Sequence, residues 1–266
     1  MPGSPATYRV SAYNTAKRSE NKMHDDTVAR RFGFSGGLVP GVEVLAYMMH
    51  LPVAKWGRDF LARGRIEGRF VKPVYDGEMT DVIGELQGEQ LTIRVESRGQ
   101  LCATGSASLT EKVEPVALAA FPETPVVATR GPVNAESFAL GQWLGTAPRA
   151  WNEAGLADYL DEVRETDDIY NANGLVHPGM LQRIMNQVLV QNVVLGPWIH
   201  VGSNMQLLAA AKLGDELAAR AKVTANYEKK GHRFVELDAL VVANGTTPVA
   251  HCQHIAIYQP REQAAA

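Results

Sequence analysis

Eight residues, Ser19 to Asp26, bring together a hydroxyl at Ser19, an amide at Asn21, an imidazole at His24 and carboxylates at Glu20, Asp25 and Asp26. Fifteen positions further on, Gly41 opens a long apolar run, with Glu43 in its first turn. A helix that starts at Gly41 leaves its first backbone N–H groups unpaired, with the positive end of the helix dipole behind them. Donors of that kind suit a carbonyl oxygen that gains negative charge during a reaction. A histidine nearby, with an ordinary pKa near 6.5, can take and return a proton at neutral pH. The plainer reading makes His24 a helix-capping or core imidazole. Likewise, Glu43, Tyr47 and His50 recur at helical spacing, either as a solvated or dimer-facing stripe or with Glu43 as a catalytic carboxylate.

Regular elements must hold these groups. Residues 1–7 read as a loose tail and 8–13 alternate like a strand. Asp25 and Asp26 can cap a short helix over 27–32 that Gly33 stops. Pro40 suits the first position of the long helix, whose Val42, Leu45, Ala46 and Met49 share one face and which ends near Trp56 and Gly57. Four strand-like runs follow, 66–71, 79–86, 91–97 and 102–109, separated by turn signals at Gly77, Gly88 and Gly99. One strand, one helix and four antiparallel strands form a sheet able to wrap around the helix, an α+β arrangement. The glycines from 33 to 37 mark a segment that could gate a pocket.

The chain has 266 residues, 45% hydrophobic and 21% charged, which fits a globular protein with a sizeable core. A net charge of −3 from 26 basic and 29 acidic residues gives no general pull toward nucleic acid. No apolar run is long enough for a membrane span and the first residues lack the pattern of a signal peptide, so a cytoplasmic location is expected. Cys102 and Cys252 fall in strand-like runs without ligand spacing and read as core thiols. His251 and His254 flank Cys252 on what reads as an edge-like strand and make a weak case for metal. No metal site and no cofactor are expected, since no dinucleotide fingerprint or ligand cluster is present.

The pattern then repeats. Residues 112–150, punctuated by five prolines, read as a linker. Beyond it, 158–164 reads as a strand, Asp167-Asp168 echoes Asp25-Asp26, and Gly174-Leu175-Val176-His177-Pro178-Gly179 echoes the run into Gly41. A helix is expected over 180–194, with four more strands to Tyr258. Gly41 and Gly179 lie 138 residues apart, and Gly77 and Gly214 lie 137 apart, so the chain is an internal duplication. The expected division is a repeat over 1–111, the linker, and a repeat over 151–260. Glu165 and Thr166 stand where Met23 and His24 stood, which leaves one reactive centre per chain.

The run from Ser19 to Tyr47 resembles the hydratase motif of the MaoC-like family, the (R)-specific enoyl-CoA hydratases and related dehydratases of the hot-dog fold. That motif reads Asp-x-Asn-Pro-x-His-x-Asp, then an alanine and a Gly-Phe, then a His-Gly that opens the long helix. Asn21, His24, Asp26, Ala29, Gly33, Phe34 and Gly41 stand in register with it. Ser19 replaces the family aspartate, Lys22 the proline and Pro40 the histidine. The second half is similar to hot-dog domains generally, and to thioesterases of the fluoroacetyl-CoA type, with Asn186 near their helix carboxylate. The resemblance implies a double hot-dog fold, two repeats each wrapping an antiparallel sheet around a central helix. It implies acyl-thioester chemistry, in which the asparagine helps hold a water and an aspartate and histidine share the proton transfers. Ser19 cannot take a proton near neutral pH, so Glu20, Asp26 or Glu43 would substitute, or the reaction differs.

The resulting candidates are Asn21, His24, Ser19 and Glu43 for catalysis and Gly41 for the oxyanion. Hot-dog pockets lie between paired units, so the resemblance places the acyl or pantetheine arm along the second helix near His177 and Met180. His177, at the place of Pro40, could also donate in a second pocket. Lys229, Lys230 and Arg233 form a basic hairpin turn, either simply solvated or in contact with phosphates of coenzyme A or of an acyl-carrier arm. The expected partner is thus an acyl-CoA or acyl-carrier-protein substrate, and the expected activity a hydratase or dehydratase. A thioesterase using Glu43, or a non-catalytic acyl-binding protein, are the alternatives. Exposed sheet edges could also pair the chain as a homodimer.

Overall fold

The computed structural model describes residues 5–134 and 136–262. Its first half runs β1 (Ala6–Ser11), a 3-10 turn (Lys22–His24), α1 (Asp26–Arg31), α2 (Gly41–Trp56), α3 (Arg58–Arg63), β2 (Gly64–Phe70), β3 (Met79–Gln87), β4 (Gln90–Ser97) and β5 (Gln100–Leu109). The connection carries β6 (Gly131–Pro132) and β7 (Trp143–Gly145). Next come α4 (Glu153–Glu162), α5 (Ile169–Asn173), α6 (Pro178–Val190), β8 (Val193–Val194), β9 (Ile199–Leu207), β10 (Leu217–Lys229), β11 (His232–Ala243) and β12 (Thr247–Gln259). Of the expected N-terminal tail, residues 1–4 lie outside the described residues, and Ala6 and Thr7 already pair with β3.

Ten strands make one sheet in the order β1-β3-β4-β5-β2-β9-β12-β11-β10-β7. The order is a mirror about its centre, where β2 and β9 pair antiparallel from Arg65↔Gln206 to Arg69↔Gly202. Each half therefore contributes five strands, wrapped around α2 in one and α6 in the other. This is an α+β double hot-dog architecture. Gly68 and Gly105 lie where the sheet closes on α2, and a Cβ on Gly68 would stand 2.7 Å from Leu45 Cδ1. The two central helices cross where Gly179 meets Ala46, a Cβ on that glycine falling 2.9 Å from the Ala46 Cβ.

Contacts from all sides explain why α2 is buried almost all round, from Val42 to Met49. Its polar stripe is not solvated. Glu43 meets Arg183 of α6, Tyr47 accepts the Tyr13 N–H at 3.1 Å, and His50 meets Glu165 at 2.7 Å. Glu43 and His50 are thus paired across the junction of the two halves and Tyr47 within its own.

Several expectations need correction. The stretch 158–164 lies in α4 and its end, because Asn152 caps the helix by accepting the Gly155 N–H and Leu156, Tyr159, Leu160 and Val163 bury one face. The outer strand of the second half is instead β7, inside the proline-rich connection, paired with β10 just as β1 pairs with β3. Pro40 caps α2 from outside, with ψ 138°, while Pro178 takes the first-turn position in α6. That second helix begins two residues before 180 and stops at Val190, where Asn192 turns back to bond the Val188 carbonyl at 2.8 Å. Strand β12 lies in the sheet interior between β9 and β11, so His251 and His254 are on no edge. Three positions apart on a strand, they face opposite ways: His251 meets Asp238 at 2.6 Å, and His254 is fully buried against His200. Both cysteines are buried and free.

Candidate active site

Asn21 and His24 sit on the irregular segment between β1 and α2, and a chain of short-range bonds fixes that segment. Asp25 caps α1 through the Thr27 and Val28 N–H groups at 2.9 and 3.0 Å. Asp26 accepts the Gly37 N–H at 2.7 Å, and Asn14 donates to the His24 carbonyl at 2.9 Å. Gly37 passes so close that a Cβ there would overlap the His24 carbonyl oxygen. Gly33 ends α1 with φ 85°, the left-handed conformation that stops a helix cheaply only at glycine.

The carboxamide of Asn21 joins the two halves. Its Oδ1 accepts the Trp198 N–H at 3.1 Å and the Met23 N–H at 3.2 Å, while its Nδ2 donates to the Trp198 carbonyl at 2.9 Å. Those partners fix which end is nitrogen. The second Nδ2 hydrogen is then directed at His24 Nε2, 3.2 Å away, which must carry its lone pair there. On the other side of the ring, His24 Nδ1–H donates to the Leu38 carbonyl at 2.7 Å. The ring is thus a neutral imidazole with its basic nitrogen beside Asn21, and burial lowers its pKa below the ordinary value.

Two cavities meet at this point. One is a polar cleft of about 710 Å³ whose walls include Ser19, Glu43, Arg130, Arg149 and Arg183. The other is a chamber of about 260 Å³ lined mainly by apolar side chains, among them Met23, Leu38, Val44, Phe70 and Ile257. Asn21, His24, Pro40, Asn186 and Trp198 line both. Gly41 borders the chamber and Val42 the cleft. Among the described residues neither of their N–H groups has an acceptor, whereas those of Glu43 and Val44 bond the Pro40 carbonyl. A side chain at residue 41 would crowd His200, whose carbonyl oxygen would lie 2.9 Å from a Cβ.

Four buried polar atoms on residues lining the two cavities also lack partners among the described residues: Glu43 Oε2, Asn186 Oδ1, Trp198 Nε1 and His200 Nδ1. Glu43 Oε1 is held by Arg183 Nε at 2.8 Å and Thr15 Oγ1 at 3.0 Å. Burial pushes the Glu43 carboxyl pKa up, against the pull of Arg183, which shares its charge with Glu162. Ser19 donates to the Asn21 carbonyl at 3.2 Å, a bracing contact on the cleft wall. Glu20 pairs with Arg130 at 3.0 Å. Arg149 stacks on Trp151 and has no carboxylate partner among the described residues.

The equivalent place in the second half is closed. His177 is fully buried, accepts the Gly179 N–H on Nδ1 at 2.9 Å and directs Nε2 toward Glu165 at 3.7 Å. The Tyr159 hydroxyl fills the space a ligand would need before Gly179. Met180 is likewise fully buried. The expectations of a second pocket at His177, and of a substrate arm along His177 and Met180, are therefore corrected: aromatic packing against α6 occupies that volume. Lys229, Lys230 and Arg233 lie at the β10–β11 hairpin, turned by Lys230 and Gly231 at φ 54° and 78°. None of the three lines either cavity, although their neighbour His232 borders the chamber. Beneath it, His200 donates from Nε2 toward Ser203 at 2.8 Å, and burial takes its pKa down to about 3.

Sequence reasoning gave no weight to Trp198, Arg183 or Arg149, and placed Asn186 only by resemblance. Single polar residues reached across the repeat boundary leave no spacing signal. Among the described residues no three His, Cys, Asp or Glu side chains converge as a metal site.

The fold and this pair of adjoining cavities define a double hot-dog protein with a polar centre built by both halves. No protein-family model and no curated protein matches the sequence. Solved structures do match. One is a conserved Mycobacterium tuberculosis protein with a double hot-dog fold, at 13% identity and TM-score 0.66 over 96% of each chain. Another, from Chloroflexus aurantiacus, is described as a MaoC domain dehydratase, at 10% identity and TM-score 0.65 over 98% of this chain and 96% of that one. A third, from Lactobacillus plantarum, is described as an oleoyl thioesterase, at 9% identity and TM-score 0.50 over 97% and 98%. At such identities the likeness establishes the double hot-dog fold.

Proposed function

We propose that the chain is an acyl-thioester hydratase or dehydratase with its reacting carbons at the junction of the two cavities. The observation that carries this reading is the meeting of an apolar chamber and an arginine-bearing cleft at His24, next to two unpaired helix N–H groups. The chamber would take the acyl chain. The cleft would take the pantetheine arm of coenzyme A or of a carrier protein, with Arg149 free for phosphate.

In the hydration direction a water displaces the direct Asn21–His24 hydrogen bond, accepting the Nδ2–H that points at the ring and donating to His24 Nε2. The two nitrogens, 3.2 Å apart in direct contact, separate as that water enters from the cavity both residues line. His24 takes its proton as the oxygen bonds to C3 of a 2-enoyl thioester, and the electrons move onto the thioester oxygen. The Gly41 and Val42 N–H groups bear that charge, a contribution of several kcal/mol. His24 then returns the proton to C2, and dehydration is the reverse. His24 as the sole base fits the replacement of the family aspartate by Ser19.

Incubation with crotonyl-CoA tests this. Loss of enoyl absorbance without release of thiol is the expected result, and neither change in the presence of demonstrable binding would leave only an acyl-binding protein. The unpartnered Glu43 Oε2 on the cleft wall favours a second reading, hydrolysis of the thioester, which the same assay would reveal as free thiol.

A further inference from the structure

The second half is closed at the place equivalent to the helix start at Gly41, yet it supplies part of the wall around His24. Asn186 projects from α6 and lines both cavities at their junction, alongside Asn21 and His24. Its side chain makes no hydrogen bond to any described residue, although its Oδ1 is buried. The position 138 residues earlier, the offset of the two helix glycines, is Met48, which is fully buried in the core around α2. The two copies thus differ at this helix position: one packs a thioether in the core, and the other brings a carboxamide to its partner's cavity. A packing role would not select a group with four hydrogen-bonding capacities and leave them unused.

We infer that Asn186 is a substrate-binding donor, its Nδ2–H directed at the carbonyl oxygen of the thioester, opposite the N–H groups of Gly41 and Val42. The inference rests on the acyl-thioester reading of the site. No partner among the described residues fixes the carboxamide, so it can turn its N–H end to whatever acceptor the cavity holds, and a thioester carbonyl, which only accepts, selects that end. A thioester carbonyl has two lone pairs. With the helix start occupying one side, a donor from α6 completes the pair, and each half of the duplication then contributes one side of the oxyanion site.

The test compares two ligands by titration calorimetry: butyryl-CoA, and its thioether analogue S-butyl-CoA, which lacks only the carbonyl oxygen. Wild type is expected to prefer butyryl-CoA. Asn186→Ala should narrow that preference about three- to tenfold, the worth of one neutral hydrogen bond, and leave the affinity for the thioether unchanged. The unchanged thioether affinity also reports that the variant is folded. Asn186→Asp, which offers no donor when ionised, should narrow the preference at least as much. A preference unaltered by Asn186→Ala would overturn the inference, and so would an Asn186→Asp variant that keeps the wild-type preference. If neither ligand binds wild type, the acyl-thioester reading itself falls.

Discussion

Asn21 clasps Trp198 by both of that residue's backbone groups, accepting from its N–H at 3.1 Å and donating to its carbonyl at 2.9 Å. A side chain in one repeat thus satisfies the main chain of the other, at the wall of the reacting centre. Replacing Asn21 with Ala leaves a buried donor and acceptor without partners, a cost of about 1–3 kcal/mol. Chemical denaturation should show a lowered midpoint with an unaltered slope. A midpoint equal to wild type would mean that the clasp contributes nothing.

His24 is held neutral with its basic nitrogen at the cavity, and burial lowers its pKa. Activity that needs the unprotonated ring should therefore rise with pH through an inflection below the ordinary 6.5 and stay level above it. His24→Ala should cost roughly a hundredfold or more in turnover of crotonyl-CoA. An inflection above neutrality in kcat/KM would assign the base elsewhere.

Gly37 gives this idea a steric test. A Cβ there overlaps the His24 carbonyl oxygen, which Asn14 also binds, so Gly37→Ala must displace the His24 backbone. We expect a loss of turnover far larger than for Gly77→Ala, where a Cβ meets nothing within 4 Å and the cost is confined to the left-handed turn, remote from the cavities. Comparable activity in the two variants would show that His24 is not held by this contact.

Glu43 separates hydration from hydrolysis. Glu43→Gln keeps the shape of the side chain but removes the charge that balances Arg183. Stability should fall by about 3–5 kcal/mol at most, the cost of breaking a buried pair, less whatever Glu162 recovers. Enoyl loss normalised to folded protein should persist. If thiol release is the wild-type activity and this variant abolishes it, Glu43 is the hydrolytic carboxylate.

Stability should decline on the acid side because of His200 and His254. Both are buried and stacked at 4.2 Å, and burial depresses both pKa values, His200 to about 3. Below pH 6.5 the unfolded chain takes protons on these rings that the folded chain refuses, so stability drops from there down to the folded values. His254→Gln should flatten the thermal midpoint between pH 6.5 and 4 relative to wild type. Parallel profiles for the two proteins would show that His254 is protonated in the fold.

Much of the fold was legible because glycine spacing and apolar periodicity are local signals. Gly41 and Gly179, Gly77 and Gly214, and the two helices they punctuate follow from such patterns. The misread stretch 158–164 illustrates the limit: its apolar residues admit two periods, and the Asn152 cap that decides for helix lies upstream of it. At the site, His24 and Asn21 were readable as a motif, and Gly41 as the start of a helix. His177 misled because its neighbours in sequence copy those of Pro40, while what closes its pocket is Tyr159, eighteen residues away. Trp198 and Arg183 act through contacts 177 and 140 positions distant in the chain, which no spacing rule reaches.

The central pairing of β2 with β9 uses up the inner edge of each half and leaves β1 and β7 at the two ends of the ladder. Of these, β7 pairs with β10 over only three residues, with Pro148 soon after it, whereas β1 pairs over six. A foreign strand adding to β7 itself would find a foothold of three residues, while the far part of β10, from Thr224 to Lys229, has no strand of the described residues laid along its outer side. The two ends of the ladder thus differ in kind: a continuous six-residue strand at β1, where Arg9 and Asp81 make an ion pair across the terminal strands, against a broken edge at the other end.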